Sequence, residues 1–289
     1  MATRAAISLV TITTPSLTIG GLTGARVSRG LQSLIRRAGG YPDPQVAWTA
    51  KGRPAFSVTT LTLSALSSIG IEGAECTTVA TFWHKKKAYG SRETGANHVK
   101  LTLAKAYAVP RSLRFAKGEN VELAVDFLGV SSDGETNPLA RTDSQALPAG
   151  YGITEAYAPA HLDIGGSDFD VSDGTLEFGV DARTDGMRAY DEEAWIENRD
   201  PALNVNSPDI AAEAAAASGA GHIYFRKRQN GTVFYPDNAS QHLKISWAAS
   251  RVDVGDSGGD EEVVVPLTIW PLWNGTDPVL TIATGQAIT

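Results

Sequence analysis

Several groups of residues in this 289-residue chain have types and spacing that could do chemistry. Gly255-Asp256-Ser257-Gly258-Gly259 has the surroundings of a nucleophilic serine. Such a serine works only with a histidine base in hydrogen-bond reach and a carboxylate that orients the base. The early histidines lie in Phe82-Trp83-His84-Lys85 and Ala96-Asn97-His98-Val99, neither of which marks a base, and Asp260, Glu261 and Glu262 crowd the serine. A Gly/Asp/Ser hairpin between two strands also accounts for the segment. A serine hydrolase around Ser257 is therefore kept only as an alternative.

Asp168, Asp170, Asp173 and Glu177 surround Gly174, and alternating carboxylates in a tight turn are what calcium loops use. Asp173 falls one position late for that loop, an ordinary turn fits as well, and calcium at the acidic 163–177 segment stays open. Gly20-Gly21-Leu22-Thr23-Gly24 stands between a strand-like and a helix-like segment, where a helix N-terminus can hold a phosphate. Its spacing departs from the dinucleotide pattern. Trp270 and Trp273 flank Pro271 and could stack a sugar, although such aromatics also serve as core or interface anchors. The five histidines are scattered and Cys76 is the lone cysteine, so there is neither zinc spacing nor a disulfide framework. Taken singly, none of these supports an enzyme, and the reading carries no catalytic residue, no metal and no cofactor.

Charge is sorted along the chain. Residues 1–118 carry 16 Lys and Arg against 4 Asp and Glu, and the rest carries 9 against 28, for the total of −7. A chain with one basic and one acidic part can attract copies of itself head to tail, which builds rings or filaments. Hydrophobic residues make up 42 %, enough for a core. No convincing signal peptide and no membrane-length apolar run is read, so a soluble protein made in the cytoplasm is expected.

The elements that must position these residues are mostly strands. Ser8–Ile19 alternates and is interrupted at Pro15. Ala25–Ala38 places Val27, Leu31, Leu34, Ile35 and Ala38 at helical spacing, ringed by Arg26, Arg29, Arg36 and Arg37, and predicts a basic helix with an interface role. A strand over Ala55–Thr60 precedes a short helix over Leu61–Ile69 that Gly70 closes. Cys76–Trp83 and His98–Ala108 read as a long hairpin with a basic loop, and strands near Arg111–Phe115 and Val121–Val130 follow around Lys117-Gly118-Glu119-Asn120. Ser131 to about Pro159 reads as a loop or insertion. An Ala-rich helix opens at Ser207-Pro208-Asp209 and stops at Gly219. Strands are expected over His222–Arg228, Val233–Tyr235, His242–Trp247, Glu262–Trp270 and Val279–Ile282. No fixed-period repeat is read. The organisation expected is an arm and basic helix (1–44), a first part of the β core with hairpin loop 84–98 (45–130), an acidic Gly/Pro-rich insertion with the Ala-rich helix (131–220), and C-terminal strands completing the core (221–289). One sheet system gathers both ends.

The order of elements from Pro54 to Leu139 is a strand ending in Thr, a short helix, a long hairpin, then paired strands. It includes PAFSVTTLTLSALSSIG and HVKLTLAKAYAVPRSLRFAKGENVELAVDFLGVSSDGETNPL. This resembles the major tail tube proteins of long-tailed bacteriophages. The resemblance implies a mainly β (α+β) fold, a β-sandwich or small barrel of two packed sheets with flanking helices. It implies a homo-oligomer of hexameric rings stacked into a tube in the virion tail, working with other tail proteins such as the tape measure and the terminator. Double-stranded DNA would pass without specific binding, and no membrane is involved. In that picture the loop with Lys85, Lys86, Lys87, Tyr89 and Arg92 reaches the adjacent ring, and Trp270 and Trp273 sit at an interface. An acidic bore suits a threaded polyanion, because a basic one would hold its phosphates. The alternative is a β-rich binding module, for capsid decoration or carbohydrate.

Overall fold

The computed structural model describes residues 5–36, 46–86, 92–153, 155–215, 219–230, 233–258 and 263–288. Strands account for 62 % of the chain and helix for 3 %, so the fold is mainly β and built from antiparallel sheets. The first run of elements is β1 (Ala5–Thr14), β2 (Leu17–Ile19), β3 (Leu22–Ser28), β4 (Leu31–Arg36), β5 (Val46–Gly52), β6 (Ala55–Thr60), α1 (Ala65–Ile69), β7 (Ala74–Lys85), β8 (His98–Ala116), β9 (Glu122–Val130) and β10 (Leu139–Gln145). The second is β11 (Tyr157–Ile164), β12 (Ser167–Asp170), β13 (Asp173–Glu177), β14 (Val180–Asp185), β15 (Glu193–Arg199), β16 (Ala202–Ser207), a 3₁₀ turn (Ile210–Ala215), β17 (Gly221–Asn230), β18 (Val233–Phe234), β19 (His242–Trp247), β20 (Ser250–Val254), β21 (Val265–Pro271) and β22 (Thr281–Gln286).

These two runs are one unit built twice. In the first, β1 pairs with β2 and β7, β3 with β6, β4 with β5, β6 with β9, and β8 with β7, β9 and β10. In the second, β11 pairs with β12 and β17, β13 with β16, β14 with β15, and β16 with β21. β19 and β20 together take the part of β8, pairing with β17, β21 and β22. The registers coincide. Trp83 faces Val99 and Phe82 faces Lys100, as Phe225 faces Leu243 and Tyr224 faces Lys244. β1 and β11 carry a bulge at the same place, between Ile7 and Leu9 and between Pro159 and Leu162.

Local chemistry repeats with the register. The Lys85 N–H donates to Nδ1 of buried His98 at 3.1 Å, and the Lys227 N–H donates to Nδ1 of buried His242 at 3.1 Å. The Lys100 ammonium lies 5.9 Å from the Phe82 ring, and that of Lys244 lies 5.0 Å from the Tyr224 ring. Thr60 Oγ1 donates to the Gly20 carbonyl at 2.6 Å, and Ser207 Oγ donates to that of Asp170 at 2.8 Å. Asp133 Oδ1 accepts from the N–H groups of Glu135 and Thr136, as Asn274 Oδ1 accepts from those of Thr276 and Asp277. Gly30 and Gly179 both have left-handed backbones, at φ 55° and 62°. A Cβ on either would lie 2.0 Å from a carbonyl oxygen, of Arg53 or Asp200. Only glycine fits such a corner.

Each unit has two layers. One holds the strands around β1 and β7, the other those around β6 and β9. In the first unit β8 runs through both, so they form part of a single 12-stranded sheet. In the second unit the chain breaks between β19 and β20, and the outer layer stands as a separate six-stranded sheet. The inward faces of both units merge into one apolar core that includes Phe56, Leu103, Phe127, Leu162, Phe225 and Ile269.

The structure corrects several expectations. The predicted basic helix over Ala25–Ala38 is β3 and β4 with the Gly30 corner between them, because β3 pairs along β6 from Leu22 opposite Thr60 to Ser28 opposite Ala55. The flanking helices shrink to α1 and the 3₁₀ turn; the Ala-rich segment makes six residues of 3₁₀ turn. The stretch after Ser131 contains β10 and the start of β11, and the acidic 163–177 segment is β12, β13 and the end of β11. The repeat that sequence reading missed is present. The α1 segment, the β7–β8 hairpin and His242–Trp247 are as expected.

Candidate assembly surfaces

The two units are joined edge to edge by backbone pairing. The far end of β8 continues past β7 and pairs antiparallel with β13, from Ser112 opposite Glu177 to Ala116 opposite Asp173. β13 is the second unit's counterpart of β3. The Phe178 N–H donates to the Arg111 carbonyl at 2.9 Å, and the Arg111 guanidinium binds Asp126 Oδ2 (2.8 Å) and the Val180 carbonyl (2.9 Å). Phe115 meets Phe225 edge-on, with ring centroids 5.3 Å apart. At the other end of the seam Asp191, its carboxylate buried, takes ion pairs from Lys51 (2.7 Å) and Arg53 (2.9 Å). A buried carboxylate needs such partners. Asp191 and Asp185 raise the Lys51 pKa, with the hydrogen bond to Asp191 as the largest cause. β14 packs on β8 and β15 on β9. The cleft of about 580 Å³ between the units is lined by Arg53, Pro54 and Leu128 on one side and Arg183, Thr184 and Trp195 on the other.

Each unit's equivalents of these joint residues can be followed to the two ends of the molecule. β3 pairs with β6 alone among the described strands, and β20 ends the order of its sheet. Beyond β20 the hairpin reproduces the end of β8 and β9, because Gly258 faces Val264 as Arg114 faces Glu122. Positions covered at the internal joint are open at the ends. Val180 is 4 % exposed and its counterpart Leu31 51 %; Val121 is 0 % and Val263 40 %; Val130 is 2 % and Leu272 48 %; Ser131 is 2 % and Trp273 70 %. Buried Phe178 has exposed Arg29 as its counterpart. A second cleft of about 550 Å³, with Asp200, Pro201, Trp270 and Trp273 in its lining, stands where the first unit has Arg53, Pro54, Leu128 and Ser131.

The residues singled out in the sequence fall into three places. Arg26 and Arg29 are exposed, on and just after β3; Arg36 ends β4, and Arg37 lies outside the described residues. Trp273 is open to solvent at the opposite end, and Trp270, the last but one residue of β21, lies under the Arg251 guanidinium, 5.7 Å from its ring. Lys85 ends β7, Lys86 bridges Arg92, and Arg92 stacks on Tyr151 at 3.9 Å. Lys87 and Tyr89 lie outside the described residues. The sequence reading missed the counterpart of this basic hairpin base, Arg226, Lys227 and Arg228 on β17. The parallel between His98-Val-Lys-Leu-Thr and His242-Leu-Lys-Ile-Ser is the signal that marks it.

Two of the remaining candidates lose their settings. A strand, not a helix, follows Gly20–Gly24, so no helix N-terminus stands there to hold a phosphate. Asp168, Asp170, Asp173 and Glu177 spread over two strands, and Asp173 accepts from Asn206 Nδ2 at 2.8 Å. Among the described residues no group of three metal-type ligands occurs. Ser257 occupies the position that Leu113 holds in the first unit, and two histidines, His98 and His242, accept backbone N–H groups. No described helix is long and apolar enough to cross a membrane. No family model matches the chain, and no curated protein matches it.

Proposed function

We propose that the chain is a structural subunit that assembles with its own copies into rings, and that the rings stack into the DNA-conducting tail tube of a long-tailed bacteriophage. The observation that carries this reading is the edge-to-edge joint between two copies of one β unit, with the matching edges left open at both ends of the pair. Open strand edges with apolar neighbours are a hazard in a lone molecule. In a ring they are covered by the next subunit. The resemblance implies a hexameric ring whose subunits are each one β-sandwich or small barrel, and this chain carries two such β units. The basic hairpin bases at Lys85, Lys86 and Arg92 and at Arg226–Arg228 are suited to meet acidic surface of an adjacent ring. Each exposed ion pair contributes only about 0–1 kcal/mol, but many copies acting together set register. The 28 acidic against 9 basic residues after Gly118 provide for a bore that repels phosphates.

Negative-stain electron microscopy of the purified chain tests this. Rings or tubes of one chain are expected; isolated particles at every concentration would remove the reading. The open cleft around Trp273 favours one competing role, a carbohydrate-binding module. Glycan binding abolished by Trp273→Ala, without any assembly, would establish that role instead.

A further inference from the structure

We infer that copies of this chain join head to tail through a second version of the internal joint. The Gly255–Gly258 segment of one copy pairs antiparallel with β3 of the next, in the register of β8 on β13. Arg114 opposite Thr175 becomes Gly258 opposite Arg26, Leu113 opposite Leu176 becomes Ser257 opposite Val27, and Ser112 opposite Glu177 becomes Asp256 opposite Ser28. The occupant of each open edge is thus a second copy of the same chain.

Three observations carry this. The counterparts of both edges, β13 and the end of β8, already form a bonded pair inside the molecule, so a joint of this shape exists. The bridge between Gly258 and Val264 keeps the register of Arg114 and Glu122 up to the hairpin end. Four of the residues buried at or beside the internal joint have exposed apolar counterparts, Leu31 at one end and Val263, Leu272 and Trp273 at the other, whereas buried Phe178 and Leu113 have Arg29 and Ser257. The charges also match, since Arg26 and Arg29 flank one edge and Asp256 lies on the other. Such contact between unlike faces is heterologous and closes only as a ring, or else runs on as a filament. The size of the ring rests on the proposed tube: in a ring of six β units, two units per chain make three chains, with internal and intermolecular joints alternating.

The test is a cysteine pair across the joint in the full chain. The Phe178 N–H to Arg111 carbonyl bond makes Thr175 and Arg114 a pair of the non-hydrogen-bonded kind, whose side chains come close enough for a disulfide. Their counterparts are exposed Arg26 and Gly258, and a Cβ on Gly258 meets nothing within 4 Å. Cys76 is buried, which pushes its thiol up to about 11 and keeps it out of the reaction. Under mild oxidation Arg26→Cys/Gly258→Cys is expected to give covalent species beyond the dimer, and mixing the two single variants is expected to give a mixed dimer. A double variant that stays single, or Arg26→Cys pairing with itself as readily as with Gly258→Cys, overturns the joint. Native mass spectrometry reads the ring: a closed species of about 92 kDa, three times the 30.5 kDa chain, is expected. Linked species that close at another mass leave the joint standing and overturn the three-chain ring. Tubes that form without a disulfide between positions 26 and 258 leave the tube reading standing and overturn the joint.

Discussion

Leu31 and Val180 hold the same place in the two units, one open and one covered, so the same truncation at each should separate assembly from folding. Leu31→Ala removes three carbons, worth about 2.4 kcal/mol at ~0.8 kcal/mol for each when fully buried. Leu31 is half exposed in the single chain, so about half of that, ~1.2 kcal/mol, is gained only when a second copy covers it. Its loss weakens each intermolecular joint roughly eightfold. Val180 is already buried by the chain's own first unit. Val180→Ala removes two carbons, and the ~1.6 kcal/mol, plus a cavity contribution, comes off folding stability. Sedimentation velocity across a concentration series reads the first effect, and urea unfolding of the dissociated chain reads the second. Unchanged association in Leu31→Ala would refute the reasoning. So would a Val180→Ala variant that keeps its stability but loses association.

Three further outcomes follow from particular residues. Gly179→Ala should destabilise the fold by more than about 2 kcal/mol, because it adds left-handed strain to a Cβ placed 2.0 Å from the Asp200 carbonyl oxygen; an unchanged melting temperature would contradict this. Burial lowers the His222 pKa below its ordinary 6.5, helped by Lys244 and His161 and opposed by Asp163 and Asp168, and burial with Arg92, Lys86 and His98 lowers that of His84. Both rings resist protonation when folded, so their contribution to stability is complete above pH 6.5 and is lost as pH falls below it. A urea midpoint that stays level or rises from pH 7.5 to pH 5.5 would count against these assignments. Replacing Lys85, Lys86 and Lys87 with Glu should weaken stacking of rings and reduce its salt sensitivity while the chain stays folded; tubes of unchanged length and salt response would show that the loop does not link rings.

Much of the fold was legible where one local signal dominated. Pro15 separates β1 from β2, turn residues around Gly118 close the β8–β9 hairpin, and the alternation from His242 to Trp247 marks β19. The helix expected over Ala25–Ala38 failed because Val27, Leu31 and Ile35 fit a strand's period of two as well as a helix's. Pairing of β3 with β6 and the corner at Gly30 decided between them, and neither is visible in a hydrophobic pattern. The duplication escaped notice because the spacing between counterparts drifts. Val10 and Leu162 lie 152 positions apart, Ala55 and Ala202 lie 147 apart, His98 and His242 lie 144 apart, and Gln145 and Gln286 lie 141 apart. Loop lengths absorb the differences. Identities survive at Pro-Ala-x-x-Val, from Pro54 and from Pro201, at the Gly30 and Gly179 corners, and at buried His98 and His242. The opposite charges of the two parts were readable from the start, whereas which of them lie beside the open strand edges needed the register.

The most direct measurement is the rotational symmetry of end-on particles of the purified chain in cryo-electron microscopy. Six similar lobes around an open bore, repeating truly only every second lobe, are what two unlike units per chain produce. An odd number of lobes, or particles that never close into a ring, would contradict the assembly.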